Sequence, residues 1–107
     1  MRSATVDAVF DALADPTRRA VLELLRMHVM TAGELAAAFP DISRPAVSRH
    51  LRLLREAGLI EAKQEGREWR YELRVRPLAE VQQRWFAQFA PLWEESLQNL
   101  KSIVERD

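Results

Sequence analysis

Ser43-Arg-Pro-Ala-Val-Ser-Arg-His-Leu-Arg-Leu-Leu-Arg-Glu-Ala-Gly58 is a stretch whose apolar residues recur at helical spacing. At about 100° per residue, one side of such a helix is apolar and is formed by Val47, Leu51 and Leu54. The opposite side is polar and largely basic, and is formed by Arg44, Pro45, Ser48, Arg49 and Arg52. Ser43 supplies an N-cap and Gly58 a C-terminal stop, so the stretch predicts one amphipathic helix.

The basic side of this helix has the chemistry of a surface that enters a DNA groove. Arginine offers a rigid fork of N–H donors that matches phosphates and guanine edges, and serine can bond to several base edges. The same pattern also fits an ordinary surface helix whose arginines are solvated. The segment that follows the helix in the sequence favours DNA.

The composition is that of one folded domain, residues 1–107. Hydrophobic residues make up 48% and charged residues 30% of the chain, which is typical of a globular protein and not of disorder. No apolar run approaches the ~18 residues of a membrane helix and the N-terminus lacks a signal-peptide pattern, so we expect a cytoplasmic protein with no membrane partner. The absence of cysteine excludes disulfides, thiolate metal sites and thiol redox switches.

Charge is unevenly distributed along the chain, although the net charge is zero. Residues 43–76 contain nine basic and five acidic side chains, a local charge of +4 that the remainder of the chain balances. A basic segment on a neutral protein predicts a limited electrostatic footprint for nucleic acid rather than a generally sticky polycation.

Apolar spacing predicts three shorter helices before this one, at about residues 5–14, 16–26 and 32–39. Asp15 and Pro16 supply the N-cap and the first-turn proline of the second helix. Thr31 and Glu34 form a capping box at the start of the third. A short turn then joins the third helix to the fourth, which is a helix-turn-helix arrangement over about residues 31–57.

After the fourth helix the apolar period changes from 3.6 to 2, which predicts a β-hairpin over about residues 59–74. Gly66 fits a turn position with positive φ and places Arg67 near the tip. A hairpin directly after such a helix is the wing of a winged helix. We expect Trp69 and Tyr71 to anchor the hairpin to the core, although two aromatic residues on one strand also fit stacking with single-stranded bases.

The last segment, about residues 77–106, is predicted to be helical and to carry more apolar surface than one small domain buries. Its apolar side chains recur at three and four residues: Leu78, Val81, Trp85, Phe89, Leu92, Trp93, Leu97, Leu100 and Val104. Such a helix would span roughly 40 Å, whereas a domain of this size is about 26 Å across. We therefore favour dimerisation over an intramolecular core helix. Pro91 cannot donate a backbone hydrogen bond, so we expect a kink or break near it.

Two stretches carry a family resemblance: Phe10-Asp-Ala-Leu-Ala-Asp-Pro-Thr-Arg-Arg-Ala-Val-Leu-Glu-Leu-Leu25 and Val47-Ser-Arg-His-Leu-Arg-Leu-Leu-Arg-Glu-Ala-Gly-Leu-Ile60. They resemble the ArsR-type (arsenic-repressor-like) winged-helix transcriptional regulators, and the resemblance extends from about Val6 into the terminal helix. It implies a mainly α fold with a small β-hairpin and a long C-terminal dimerisation helix. It also implies a homodimer, paired mainly through its first and last helices, that represses transcription at an inverted-repeat operator, often its own.

The resemblance and the helical wheel agree that Arg44, Pro45, Ser48 and Arg49 are the residues that read the groove. The expected DNA-binding residues are Ser43, Arg44, Pro45, Ser48, Arg49, Arg52 and Arg67. Arg44 and Arg49 are candidates for bidentate contact with guanine, worth about 1–3 kcal/mol of discrimination. Arg52 and Arg55 fit phosphate contacts or solvated surface charge, and Arg67 fits a minor-groove or backbone contact.

The expected dimerisation residues are Phe10, Leu78, Val81, Trp85, Phe89, Trp93 and Leu97. His50 borders the apolar side of its helix, and we expect it to be packed and hydrogen-bonded; a base contact or a pH switch are the alternatives. For Arg18 and Arg19, early in the second helix, we expect a structural ion pair rather than a DNA contact.

Many members of this family sense metals or arsenite through cysteine pairs or through Asp, His and Glu ligands on the last helix. This chain has no cysteine and only two histidines, His28 and His50. We therefore expect no metal site and no cofactor, as in the non-metal-sensing branch of the family. No nucleophile–base constellation or phosphate-binding glycine loop is visible, so the chain is not expected to be an enzyme.

The sequence thus predicts a homodimeric, sequence-specific DNA-binding repressor whose partners are double-stranded DNA and a second copy of itself. One alternative is a winged helix that binds a protein through its groove face or terminal aromatic residues. Another is a repressor released by a small-molecule ligand bound beneath the terminal helix, near Trp85 and Phe89. The sequence identifies neither a ligand nor a protein effector.

Overall fold

The computed structural model describes residues 4–105, a mainly α-helical chain with one small sheet. The elements in that range are α1 (Ala4–Leu13), α2 (Pro16–Met27), β1 (Met30–Thr31), α3 (Ala32–Ala38), α4 (Arg44–Glu56), β2 (Ile60–Glu65), β3 (Glu68–Leu73), α5 (Arg76–Arg84), the 3-10 helix Phe86–Phe89 and α6 (Ala90–Glu105). This order is that of a winged helix-turn-helix, which confirms the predicted fold class. In it, α3 and α4 form the helix-turn-helix and β2 and β3 form the wing.

Helices α2 and α3 begin at the capping signals that the sequence contains. Asp15 Oδ2 accepts a hydrogen bond from the Arg18 N–H at 3.1 Å and so caps α2. At α3, Thr31 Oγ1 accepts from the Glu34 N–H, and Glu34 Oε1 accepts from the Thr31 N–H, both at 3.1 Å. The predicted capping box is therefore complete.

Helix α4 is fixed to the molecule by its apolar side. Its first turn is capped by Ser43, whose Oγ accepts from the N–H of Ala46 at 3.2 Å. Val47, Leu51 and Leu54 are all buried, at most 3% exposed, as the helical spacing predicted. They belong to a core that also contains Val6, Val9, Ala12, Val21, Leu22, Leu25, Leu35, Leu59, Ile60 and Val81. Because this core lies on one side of α4, the opposite side faces solvent.

The wing is an antiparallel hairpin, as predicted, but it is part of a three-stranded sheet. Strands β2 and β3 pair from Ile60↔Leu73 to Glu65↔Glu68, and Gly66 in the turn has a φ of 62°. The third strand, β1, pairs with the other side of β3 and was not predicted. Two residues are too few to show a period.

The two aromatic residues of the wing lie on one face of β3 but differ in burial. Tyr71 is partly buried against the core, as predicted. Trp69 is 47% exposed, so the prediction that it anchors the hairpin was wrong. It pairs with Gln64, close to the turn, where the strands have passed beyond the edge of the core.

The C-terminal segment is not one continuous helix. Helix α5 ends at Arg84, the 3-10 turn follows, and α6 starts at Ala90. The predicted break therefore lies immediately before Pro91, which is the second residue of α6. A proline in the first turn of a helix leaves no backbone hydrogen bond unmade, because the N–H groups there have no intrahelical partner.

The molecule is elongated, with extents of 58 × 38 × 24 Å. No residue of α6 is buried, so this helix is not part of the core. None of the helices between residues 4 and 105 is long and apolar enough to cross a membrane.

Candidate nucleic-acid interface

The polar side of α4 forms one exposed surface. The predicted contact residues that it brings together are Ser43, Arg44, Pro45, Ser48, Arg49 and Arg52, all of them exposed. The same helix cannot turn this side inward, because its other side is fixed in the core. The position of these side chains is thus set by the burial of Val47, Leu51 and Leu54.

Ion pairs divide the nine basic residues of segment 43–76 into two groups. Five have a carboxylate within 4 Å, in the pairs Arg52–Glu56, Lys63–Glu72, Arg70–Glu65, Arg74–Glu61 and Arg76–Glu80. The other four have no ion pair with any residue in the range 4–105, and they are Arg44, Arg49, Arg55 and Arg67. Three of these four are predicted DNA contacts, so uncompensated positive charge concentrates at the candidate interface.

Arg67 has no ion pair among the described residues, although two acidic residues flank the turn. Glu65 and Glu68 flank the Gly66-Arg67 turn, and both pair with Arg70. The guanidinium of Arg67 is therefore exposed at the tip of the wing without a carboxylate partner among the described residues.

Arg52 differs from Arg49 in that it pairs with Glu56, one helical turn away, at 3.8 Å. Both side chains of this pair are 66% exposed. An exposed i,i+4 pair contributes only about 0.3–0.5 kcal/mol. Arg52 can exchange Glu56 for a phosphate at little cost, but it brings less net charge to the interface than Arg49.

His50 is turned away from the exposed side of α4, towards the start of α2. Its side chain is 18% exposed, and its Nδ1 lies 3.5 Å from Arg18 Nη1 and 3.9 Å from Asp15 Oδ2. The histidine is thus packed against polar partners, which agrees with the predicted packed role.

Arg18 and Arg19 hold the first two helices together through backbone carbonyls. Arg18 Nε donates to the Ala12 carbonyl at 2.7 Å, and Arg18 Nη2 donates to the Asp11 carbonyl at 3.0 Å. Arg19 Nη1 donates to the Leu13 carbonyl at 2.6 Å. The prediction of an ion pair was therefore wrong in its chemistry, since these acceptors are carbonyls left free at the C-terminus of α1.

Two carboxylates at helix starts have lowered pKa values. Partial desolvation raises the pKa of Asp15, but the hydrogen bonds from the Arg18 and Thr17 N–H groups and the positive charge nearby together outweigh it, and the pKa lies below the ordinary 3.8. Hydrogen bonds from the backbone and the side chain of Thr31 hold the pKa of Glu34 below its usual 4.5. Both groups are therefore ionised near neutral pH, which suits their capping roles.

The chain is similar to several proteins of known kind. A family model described as a helix-turn-helix domain matches residues 13–62. The transcriptional repressor SdpR of Bacillus subtilis is 45% identical over 65 residues, which cover 61% of this chain and 71% of SdpR. The HTH-type transcriptional regulator Rv2034 of Mycobacterium tuberculosis is 34% identical over 101 residues, which cover 94% of this chain and 90% of Rv2034.

A solved structure gives the same result for the fold. An ArsR-like transcriptional regulator from Rhodococcus sp. RHA1 superposes with a TM-score of 0.74 at 34% identity, over 97% of this chain and 94% of that one. The chain belongs to the ArsR family. An ArsR-family chain is a DNA-binding regulator of transcription, and a regulator of this kind is not an enzyme.

The residues predicted for dimerisation of this ArsR-family chain separate by burial. Phe10 and Leu78 are partly buried against the core. Val81 lies inside the core and is only 3% exposed. It is therefore not available to a second copy, contrary to the prediction that it is a dimerisation residue. The exposed members are Trp85, Phe89, Trp93 and Leu97.

Aromatic contacts connect the first helix with the C-terminal segment. The ring of Phe10 lies 5.2 Å from that of Trp85 and 6.0 Å from that of Phe86, both edge-on, and Trp85 lies 4.9 Å from Phe89. Helix α6 continues this surface with exposed side chains, of which Ile103 was missed by the sequence reasoning although its spacing fits the stripe.

The structure also contains an open cleft of about 610 Å³ between α1, the end of α4, β2 and the start of α5. Its lining includes Arg55, Arg74 and Glu61, but neither Trp85 nor Phe89, beside which the sequence alternative places a ligand pocket. Among residues 4–105, no group of three or more His, Cys, Asp or Glu side chains is placed to hold a metal ion.

Proposed function

We propose that the chain is a homodimeric, sequence-specific repressor that reads an inverted-repeat operator with the exposed side of α4. The observation that carries this proposal is the distribution of ion pairs. Arg44, Arg49 and Arg67 are exposed and have no carboxylate partner in the described range, whereas most basic residues around them are paired. An arginine without an internal partner has its N–H donors available for phosphates and guanine, and no neighbouring carboxylate offsets its charge.

In the proposed complex, α4 enters the major groove from its N-terminal end. Arg44 and Arg49 reach base edges, with Pro45 and Ser48 between them on the same surface. The capped N-terminus of α4 at Ser43 faces a phosphate, which the helix dipole favours. Arg67 contacts the minor groove or the backbone beside it, and Arg52 binds phosphate after leaving Glu56.

A second copy of the chain is proposed to cover the exposed apolar side of the C-terminal segment. In such a homodimer, the two α4 helices read half-sites about 34–36 Å apart, one turn of DNA. The contacts of Phe10 with Trp85 and Phe86 favour pairing through α1 and the C-terminal segment, because they bring aromatic rings of both together. The proposed signal is not a metal ion, since the chain lacks cysteine and its two histidines lie on different elements.

The substitution Arg49→Ala tests the reading role of α4. Duplexes that the wild-type protein selects from a random library define the operator, and fluorescence anisotropy then measures affinity for it. We expect Arg49→Ala to weaken operator binding roughly 10-fold to 100-fold, because a bidentate arginine–guanine contact is lost.

Arg26→Ala is the matched control, since it removes the same charge from an exposed position at the end of α2. It should leave operator affinity within about two-fold of the wild-type value. Equal losses in both variants would mean that Arg49 acts through net charge alone. Wild-type protein that selects no sequence would contradict the proposed function and favour a protein-binding winged helix.

A further inference from the structure

Arg18 lies at the junction of three helices. It lies in the first turn of α2, donates to the Ala12 and Asp11 carbonyls at the end of α1, and turns its remaining terminal nitrogen, Nη1, towards His50 of α4 at 3.5 Å. One guanidinium thus contacts the C-terminus of α1 and the middle of the helix that carries the DNA-reading side chains.

The direction of the contact between Arg18 and His50 follows from the chemistry of the two groups. A guanidinium in a protein is always protonated and only donates hydrogen bonds. His50 Nδ1 must therefore accept, which places the ring proton of a neutral His50 on Nε2. At 3.5 Å the bond is long. Asp15, which lies 3.9 Å from the same nitrogen and accepts the Arg18 N–H, keeps a negative charge beside the guanidinium.

This contact supplies what the apolar packing of α4 lacks. Val47, Leu51 and Leu54 bury α4 against the core, but burial of apolar surface is non-directional and tolerates small rotations and shifts. Within residues 4–105, the side-chain hydrogen bond that joins α4 to another helix is the one between Arg18 and His50. A recognition surface must be held within about 0.5 Å and 10–20° of its working geometry, and a directional bond beside Arg49 limits such movement.

We propose that Arg18 and His50 are positioning residues for DNA recognition, which hold α4 in its reading orientation relative to α1 and α2. His50 acts as a hydrogen-bond acceptor and does not touch the DNA itself. The inference rests on the proposed function, since it assigns a role in operator reading. It adds a requirement that the exposed residues do not reveal, namely that operator affinity depends on a largely buried hydrogen-bond acceptor, His50, which is turned away from the exposed side of α4.

The test compares two substitutions of nearly equal shape. Asn places an amide oxygen close to the position of Nδ1, whereas Leu has a similar branched shape and no acceptor. We expect His50→Leu to weaken operator binding about 10-fold, a typical size for a coupling between directly bonded groups. His50→Asn should recover most of this loss. Leu is the better helix former of the two, so weaker binding by His50→Leu cannot be attributed to a less stable helix.

A double-mutant cycle with Arg18→Met shows whether the two residues act together. If they do, adding His50→Leu to Arg18→Met has little further effect on operator affinity. If the losses of operator affinity in the two single variants multiply in the double variant, the inference is overturned. It is also overturned if His50→Leu binds the operator with wild-type affinity, or if His50→Asn binds it as weakly as His50→Leu. Affinity for a random duplex serves as the internal reference, because mispositioning should reduce specific binding and spare the phosphate contacts.

The two proposals fail in different ways. If the wild-type protein binds operator and random duplex alike, the proposed function fails before any variant is compared. If the wild-type protein is specific and Arg49→Ala weakens operator binding, but His50→Leu and His50→Asn bind the operator equally well, only the positioning role fails.

Discussion

Asp15 lies where α1, α2 and α4 meet, and its ionisation is coupled to the stability of the fold. Desolvation raises its pKa, but the hydrogen bonds from the Arg18 and Thr17 N–H groups and the positive charge nearby together outweigh this effect, so the pKa in the folded protein is lower than the ordinary 3.8. A carboxyl with a lowered folded-state pKa stabilises the folded state above its unfolded pKa. This contribution is lost as the pH falls through the folded-state pKa, so it is absent in strong acid.

We therefore expect Asp15→Ala to lower the free energy of unfolding at pH 7 by about 1 kcal/mol, because α2 loses its N-cap. The difference between the variant and the wild type should be smaller at about pH 2.5, because the stabilising charge is lost as the wild-type carboxyl takes up a proton. Urea unfolding at the two pH values measures both effects. Asp15→Asn is the control, since it keeps the acceptor oxygen and should retain most of the stability at both. If the difference in unfolding free energy between the wild type and Asp15→Ala became larger in acid, the ionised Asp15 carboxyl would not be the stabilising group.

Single residues show where sequence patterns suffice and where they do not. The exposed positions of Arg44 and Arg49 follow from helical periodicity alone, which is why the sequence predicts them. The roles of Arg18 and Arg19 do not follow from the sequence pattern, because their hydrogen-bond acceptors are main-chain carbonyls, which have no signature in the sequence. Trp69 is exposed since the wing extends past the core, and the distance at which a core ends depends on packing between elements far apart in the chain.

At the scale of elements, α4 has a buried side that fixes it in the core and an exposed side that is proposed to read DNA, and mutations can address the two sides separately. Leu54 is fully buried, whereas Leu53 is only partly buried and borders an open cavity. We expect Leu54→Ala to lower the free energy of unfolding by about 2–5 kcal/mol, since it removes buried surface and leaves a cavity. Thermal unfolding measures the loss. Leu53→Ala is the same change in the same helix and should lower the free energy of unfolding clearly less. Equal losses of stability in the two variants would contradict the burial pattern of α4.

The elements also differ in how well the sequence predicts them. Helices α2, α3 and α4 are predicted because cap residues mark their starts and apolar spacing marks their buried sides. Strand β1 exists only through its pairing with Tyr71 and Arg70, a long-range contact with no local pattern. Pro91 indicates that the terminal helix is interrupted, but it does not show that a 3-10 turn fills the gap before Ala90.

At the scale of the whole molecule, the shape is that of a chain whose last helix lies outside its own core. The radius of gyration is 17.7 Å, against about 13 Å for a compact chain of this length. Helix α6 nevertheless carries a stripe of exposed apolar side chains: Leu92, Trp93, Leu97, Leu100, Ile103 and Val104. A contiguous apolar surface of this extent is typical of an interface.

Acidic substitutions on this stripe test whether it holds the dimer together. Leu97 and Leu100 are 61% and 59% exposed and contribute nothing to the core of their own chain. The double change Leu97→Glu, Leu100→Glu should therefore spare the fold of each protomer, while two charges per copy in an apolar interface cost several kcal/mol. We expect the wild-type protein to sediment as a dimer at micromolar concentration and the variant as a monomer.

The control is Gln98→Glu, which adds a charge on the polar side of α6 and should leave the dimer intact. Operator affinity extends the test, because one protomer reaches only one half-site and loses the gain from linked binding. The double variant should bind the full operator no better than an isolated half-site. If it stays dimeric, α6 is not the interface; if it becomes monomeric yet keeps full operator affinity, the inverted-repeat mode of reading is wrong while the roles of Arg44 and Arg49 stand.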